Sequence, residues 1–294
     1  MRVLEDLVGG QEFRIAETLD KGFSNAVYRV EVGGESLVAK VFSESAKVRC
    51  PAGARGLFDE LAGAAHLGPR VRKRTPDGLL MEYVNGVTLT AEDLKRDAWA
   101  VAVEKVAPKL AAVHALPVEA SEAVLWRGID AMLARVGNFE GFGDLEVEVA
   151  RSRRVVETEL GPPDACAHGD LKPSNILRVC DDVLFVDFEL AGPGYAAYDV
   201  AKLFRTEPYD APAGFLREYL RARGIPRQTL AHALKATALL EPLAWLEAVV
   251  FFLFMATTTA ASPDPGGSSS WIRLARDRYR AYEAAVRRQR VRRC

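Results

Sequence analysis

Long hydrophobic runs are the first thing this sequence lacks. Its most apolar segment, Val249–Ala256, falls far short of the roughly 20 residues needed to span a bilayer, and Glu241, Pro242 and Glu247 interrupt any upstream extension. The start of the chain, Met1-Arg2-Val3-Leu4-Glu5-Asp6, carries acids where a signal peptide carries its apolar stretch. Cysteine is sparse: Cys50, Cys166, Cys180 and Cys294 are scattered, with no C-x-x-C pair and no metal-ligand spacing. Free thiols in a reducing compartment are therefore expected. An excess of one charge is missing too, because 39 Lys and Arg face 40 Asp and Glu for a net charge of −1. That balance argues against a dedicated nucleic-acid binder. The expectation is a cytoplasmic protein with no transmembrane segment.

What is present is a 294-residue chain, 49% hydrophobic and 27% charged, long enough for a sizeable core and two lobes. Its organising stretch is His168-Gly169-Asp170-Leu171-Lys172-Pro173-Ser174-Asn175-Ile176-Leu177, followed by Leu184-Phe185-Val186-Asp187-Phe188-Glu189. Asp170 and Asn175 lie five apart around a Pro-containing loop, and Asp187 ends the apolar run from Val183. Cys180-Asp181-Asp182 reads as a hairpin turn that brings Asp187 back beside Asn175. Phosphoryl transfer needs such a set: a carboxylate at the acceptor hydroxyl, with an amide oxygen and a second carboxylate on Mg²⁺. A loop with Asp, Asn and Pro between two strands is also compatible with a plain hairpin held by Asx hydrogen bonds. Spacing, loop type and the second aspartate agree on the catalytic reading. This wording resembles the catalytic and metal-binding segments of the protein-kinase-like superfamily, above all its small-molecule kinases.

Upstream, Phe13–Leu19 and Ala26–Val32 alternate loosely around strands, Gly33-Gly34 is a hairpin turn, and Ser36–Phe42 is a third strand. The loop Asp20–Asn25 holds one glycine and small polar residues, a place where backbone N–H groups can approach phosphates; Asn25 is its candidate side chain. Val38-Ala39-Lys40 sets a lysine where kinase-like folds place their phosphate-pairing lysine. Residues 52–65 read as a helix that supplies the acid behind it, Glu60, with Asp59 as the alternative. Leu79–Val84 is an apolar strand leading to a hinge at which the backbones of Glu82 and Val84 contact adenine. Thr90 reads as an N-cap. Trp99–Leu116 and Leu145–Leu160 read as amphipathic helices, with His114 a core or capping residue. Asp199 opens a helix from which it buttresses the catalytic loop. Residues 212–255 read as further helices, Pro263–Ser270 as a Pro/Gly/Ser loop and Trp271–Val291 as a final Arg-rich helix.

With Asp187-Phe188-Glu189 and Tyr195-x-x-Tyr198-Asp199-Val200-Ala201-Lys202-Leu203-Phe204, the chain is similar to the choline/ethanolamine kinase family, a branch of the aminoglycoside-phosphotransferase-like group. The resemblance implies an α+β, two-lobed protein-kinase-like fold. Its small antiparallel-sheet N-lobe covers residues 1–84 and binds nucleotide; its mainly helical C-lobe covers 85–294. It implies ATP and Mg²⁺ as cofactors and a small-molecule alcohol as substrate, choline or ethanolamine, and it leaves room for a homodimer. Asp170 is then the catalytic base, Lys172 faces the transferring phosphoryl group, Asn175 and Asp187 are Mg²⁺ ligands, and Lys40, backed by Glu60, orients the phosphates. A quaternary ammonium calls for an aromatic cage with an acid nearby. Candidates are Tyr195, Tyr198, Trp245, Phe251, Phe252 and Trp271, with Glu189 and Glu207. Competing readings are an antibiotic or sugar phosphotransferase, a protein kinase (disfavoured because Glu189 stands where a glycine is usual) and a silent binding module that keeps the fold.

Overall fold

The computed structural model describes residues 1–20, 25–94, 101–119, 122–205, 212–259 and 265–293. A short helix, α1 (Arg2–Leu7), precedes three strands, β1 (Phe13–Asp20), β2 (Asn25–Val32) and β3 (Glu35–Phe42). Gly33 and Gly34, at φ +57° and +84°, make the two-residue turn that pairs Val32 with Glu35. Positive φ at both central residues matches the right-handed twist of the flanking strands. The helix α2 (Glu44–Arg49) is capped by Ser43, whose hydroxyl accepts from the Ala46 N–H at 3.1 Å. Then come α3 (Leu57–Ala64), β4 (Val71–Thr75) and β5 (Gly78–Glu82). The five strands form one antiparallel sheet in the order β1-β2-β3-β5-β4. Its core gathers Val30, Leu37, Ala39 and Leu80 under Leu4, Leu7 and Val8, so α1 closes one face of the sheet. A helix was not expected there; six residues are too few for periodicity to declare one.

After Glu82 the chain becomes mainly helical. Three short strands, β6 (Val87–Thr88), β8 (Ile176–Val179) and β9 (Asp182–Phe185), make a second sheet. β7 (Ala165–Ala167), which precedes β8 in sequence, pairs with β10 (Gly192–Gly194), which follows β9. The helices are α4 (Ala107–Val113), α5 (Val124–Leu133), α6 (Leu145–Leu160), α7 (Ala196–Leu203), α8 (Pro212–Ala222), α9 (Leu230–Thr259) and α10 (Pro265–Arg293). A π-helical turn, Ala102–Val106, runs into α4 just ahead of Pro108, whose missing N–H interrupts the i→i−4 ladder. Trp99, part of the expected helix there, lies outside the described residues. Thr90 acts as a donor: its N–H and hydroxyl both bond Asp93 Oδ2 at 2.8 Å, and a 3₁₀ turn follows at Glu92–Leu94.

Two expectations about the last helices are corrected. Pro242 does not break the apolar segment, because α9 runs unbroken through it. Proline leaves the carbonyl four residues earlier without its N–H partner; that carbonyl, Ala238 O, and its neighbour Leu239 O each accept from Gln289 Nε2 of α10 at 2.8 Å. Part of the expected 263–270 loop is helix, since α10 opens at Pro265, where a missing N–H costs nothing. Among the described residues, Leu230–Thr258 is the one helix long and apolar enough to cross a membrane, and 83% of its most apolar window is buried inside the protein. It is the central core helix of the C-terminal part, packing Leu240, Leu243, Leu246, Val250 and Phe254 against α5 and α7.

Candidate active site

The hairpin read at Cys180 forms as expected. Cys180 takes φ +51°, Val179 pairs with Asp182, and the Val186 N–H donates to Asn175 O at 3.0 Å, so Asp187 returns beside Asn175. Asp187 sits in the left-handed region, at φ +68° and ψ +57°, a conformation that aspartate tolerates better than most residues. Its Oδ1 accepts from Lys40 Nζ at 2.5 Å, joining β3 of the first sheet to the end of β9. Burial works to lower the Lys40 pKa, but Asp187, Asp59 and Glu189 outweigh it and hold the ammonium above its usual value. Burial likewise works to raise Asp187, and Lys40 overrides it, so the carboxylate lies below its usual range.

The acid behind Lys40 is Asp59, not Glu60. Glu60 points to the other side of α3 and pairs with Arg74 at 2.7 Å, its side chain 40% exposed. Asp59 is buried, and its charge acts on Lys40. On a helix, adjacent residues are about 100° apart, so only one of the two can face the sheet.

Asp170 lies on a loop whose geometry is fixed from below. Asp199 accepts from the His168 N–H at 2.6 Å and the Gly169 N–H at 2.9 Å, as expected of it, and also from His114 Nε2 at 2.9 Å. His114 in turn meets Tyr219 Oη at 2.7 Å. His168 is fully buried, with Nε2 donating to Val186 O at 3.0 Å and Nδ1 accepting from the Asp170 N–H at 3.4 Å. Gly169 has φ +81°, and a Cβ there would lie 2.3 Å from Leu190 O. Asn175 Nδ2 donates to Asp170 O at 2.9 Å, which commits its amide nitrogen to the loop.

Two lysines grip the Asp170 carboxylate. Lys172 reaches Oδ2 at 2.9 Å, and Lys202 of α7 reaches Oδ1 at 2.7 Å. Burial alone would raise the Asp170 pKa; Lys202 and Lys172 hold it well below the carboxylate range. Lys202 is buried and also pairs with Glu247 of α9 at 3.1 Å. Sequence reasoning passed over Lys202. The available signal was its spacing, since Asp199 and Lys202 lie three residues apart and so share a helix face.

Several expected substrate contacts are placed elsewhere. Glu189 is buried and saturated: Arg49 of α2 donates to Oε1 at 2.7 Å and Asn25 Nδ2 to Oε2 at 2.5 Å. Arg49 was not singled out from sequence, and it ties the first sheet's side of the molecule to the segment after Asp187. Asn25 also accepts from the Ser43 N–H at 3.2 Å, so its side chain holds structure together rather than reaching a phosphate. Tyr195 is buried, bonds Gly161 O at 3.2 Å and lines a separate cavity of about 370 Å³ with Trp126 and Pro162. Trp271 stacks on Phe252, centroids 5.9 Å apart. The Glu82 N–H is taken by Arg70 O at 2.9 Å and its carboxylate by Arg72 at 3.1 Å, which removes its N–H from any adenine contact. Val84 follows the strand's end and has no backbone partner among the described residues. Glu207 lies outside the described residues. Tyr198 remains near Asp170, with Lys202 Nζ 5.6 Å from its ring centroid, while Trp245 is buried on α9 with the Arg205 guanidinium 5.2 Å from its ring centroid.

A five-stranded antiparallel sheet carrying a lysine, set against a helical body whose loop carries Asp170, Asn175 and Asp187, is the fold of kinase-like phosphotransferases. Residues 15–236 match the phosphotransferase enzyme family, and the chain belongs to it. A human choline/ethanolamine kinase is 24% identical over 161 residues, 49% of this chain and 40% of that protein, so the match spans well under half of the relative's length. Among solved structures, an ethanolamine kinase from Plasmodium vivax superposes with a TM-score of 0.72 at 16% identity, covering 92% of this chain and 82% of that one. The choline kinase LicA from Streptococcus pneumoniae, solved in complex with AMP, gives a TM-score of 0.68 at 15% identity and covers 96% and 98%. The fold is thus shared with choline and ethanolamine kinases of known structure, one of them solved with AMP bound.

Proposed function

We propose that the protein is an ATP- and Mg²⁺-dependent kinase that phosphorylates the hydroxyl of a small molecule, with residues 1–84 as the nucleotide lobe and 85–294 as the catalytic lobe. The observation that carries this reading is the convergence of Lys40, Asp170, Asn175 and Asp187, drawn from two separate parts of the fold. Lys40 orients the phosphates while Asp59 and Asp187 keep it charged. Asp170 takes the proton of the acceptor hydroxyl as its oxygen bonds to the γ-phosphorus and ADP leaves. Its low pKa suits a group that orients the hydroxyl and receives the proton late, as expected for a loose transition state. Lys172 offsets charge on the transferring phosphoryl oxygens.

The donor set fits Mg²⁺. The cation is held in such sites by one or two carboxylates plus substrate phosphates, and Asp187 with the amide oxygen of Asn175 supplies all-oxygen ligands. No cluster of three or more His, Cys, Asp or Glu side chains suited to a metal occurs among the described residues, and a site completed by phosphates needs none. When bound, the cation neutralises phosphate charge.

Amino alcohols enter as the acceptor class named by the relatives, and choline and ethanolamine head the assay panel, followed by aminoglycosides. Asp170→Ala should abolish transfer while nucleotide binding persists, and Asp187→Ala should weaken Mg²⁺-dependent nucleotide binding. Normal turnover in the first variant, or an unchanged Mg²⁺ requirement in the second, would overturn the reading.

A further inference from the structure

Three of the candidate aromatic rings, Phe251, Tyr198 and Trp245, are already faced by the chain's own cations. Arg49 lies 5.0 Å from the Phe251 ring centroid and Lys202 lies 5.6 Å from that of Tyr198. Trp245 is touched twice, by Arg205 at 5.2 Å and by Arg278 of α10 at 5.6 Å. A substrate ammonium that sought these rings would meet like charge at each of them.

The acids are taken as well. Asp187 is paired with Lys40, Glu189 with Arg49, Glu247 with Lys202, and Asp170 with Lys172 and Lys202. Among the described residues, no carboxylate lies within ion-pairing distance of Arg205 or Arg278. Both guanidiniums sit against the one indole ring, and burial and then Arg205 lower the Arg278 pKa against the opposing charge of Asp277.

Unused donors collect at the same place. Tyr198 Oη, Trp245 Nε1 and Arg278 Nε are all buried without a hydrogen-bond partner. A buried donor left unmade is costly, and three of them beside one pair of guanidiniums without an ion-pair partner among the described residues make a set that an acceptor-rich, negatively charged group satisfies. Arg205 follows α7 by two residues and stands three after Lys202, which reaches Asp170 at 2.7 Å and lies 5.6 Å from the Tyr198 ring centroid, so Lys202 and Tyr198 link the cluster to the catalytic carboxylate.

We infer that the Arg205–Trp245–Arg278 cluster, with Tyr198, is an anion-recognition subsite, and that the acceptor is a small alcohol bearing a carboxylate or phosphate rather than a quaternary ammonium. This rests on the kinase reading for the hydroxyl end of the acceptor and on the cluster alone for its charged end. Planar guanidinium forks suit both oxyanions.

The test compares glycerol, glycerate, glycerol 3-phosphate, ethanolamine and choline as acceptors with ATP and Mg²⁺, in the wild type and in Arg205→Gln and Arg278→Gln. Glycerate or glycerol 3-phosphate should exceed glycerol, ethanolamine and choline by about 10-fold or more in kcat/KM. Each variant should raise KM for the anionic alcohol by about 10-fold or more, with a smaller effect on kcat, and Arg278→Lys should recover part of the loss. Which anion is preferred tells carboxylate from phosphate. A preference for choline or ethanolamine, or an unchanged KM in both Gln variants, overturns the subsite. Binding is read separately by tryptophan fluorescence with a non-hydrolysable ATP analogue already bound. Should no alcohol be phosphorylated while glycerate or glycerol 3-phosphate binds the wild type and not the variants, the kinase reading fails and the subsite stands. Absence of anion binding in the wild type sinks the subsite whatever the turnover.

Discussion

Lys202→Met tests the catalytic loop at its least visible support. The side chain is buried and makes two ion pairs, to Asp170 Oδ1 at 2.7 Å and Glu247 Oε2 at 3.1 Å. Methionine conserves most of the volume, so the loss is electrostatic. Removing one partner of a buried pair costs about 3–5 kcal/mol, because the other charge is stranded. At about 2–4 °C per kcal/mol for a protein of this size, the melting temperature should fall by roughly 10 °C. Asp170 keeps its contact with Lys172 but loses the group fixing its other oxygen, and a misplacement of about 1 Å costs on the order of 10²-fold in rate. The pH dependence has a definite sign. Asp170 is depressed below its ordinary value of about 3.9, so its favourable charge interactions persist above that value and are lost as pH falls through the lower folded-state pKa. Without Lys202, burial acts less opposed, and the acid limb of kcat/KM should move to higher pH. Thermal melts and pH–rate profiles of Lys202→Met and of Lys202→Met/Glu247→Leu read these effects. The double variant should regain most of the stability and little of the rate. A single variant melting within about 2 °C of the wild type would refute the buried-pair reasoning.

The Asp59 assignment predicts a contrast on one helix: Asp59→Asn should raise KM for ATP several-fold. Glu60→Gln should leave KM alone and cost at most about 1 kcal/mol, as expected for an exposed pair; the reverse pattern in ATP kinetics would restore Glu60. Gly169→Ala places a Cβ 2.3 Å from a backbone oxygen at φ +81°. It should destabilise the fold by about 1–3 kcal/mol from backbone strain alone and disable transfer, measured by denaturant titration and phosphate release. Gln289→Ala strips the Ala238 carbonyl, freed by Pro242, of its donor and should cost about 1–3 kcal/mol; adding Pro242→Ala should recover part of that, which a double-mutant cycle would show.

The catalytic loop was legible because its parts are neighbours in the chain. His168 through Asp187 is one loop and one hairpin, so spacing and turn chemistry alone bring Asp170, Asn175 and Asp187 to one edge. The alternation of residues 13–42 likewise wrote the first sheet, and the helix expected at Leu145–Leu160 forms as α6, with Asp144 capping the Val147 N–H at 3.0 Å. What the sequence could not say is which charges meet across the fold. Asp59 and Glu60 are one residue apart, and only the seating of α3 against the sheet turns one inward. Lys202 and Glu247 stand 45 residues apart, and Arg49 and Glu189 stand 140 apart. Such pairings depend on how helices and sheet pack, not on any local pattern. The aromatic residues show the same limit. The family resemblance proposed them as a cage for a cation, but packing gives the faces of Tyr198, Trp245 and Phe251 to lysine and arginine. The sequence by itself determined the chemistry available at the catalytic loop, because that chemistry is local. Tertiary structure decided what surrounds it, because burial favours pairing between charges that only packing brings together.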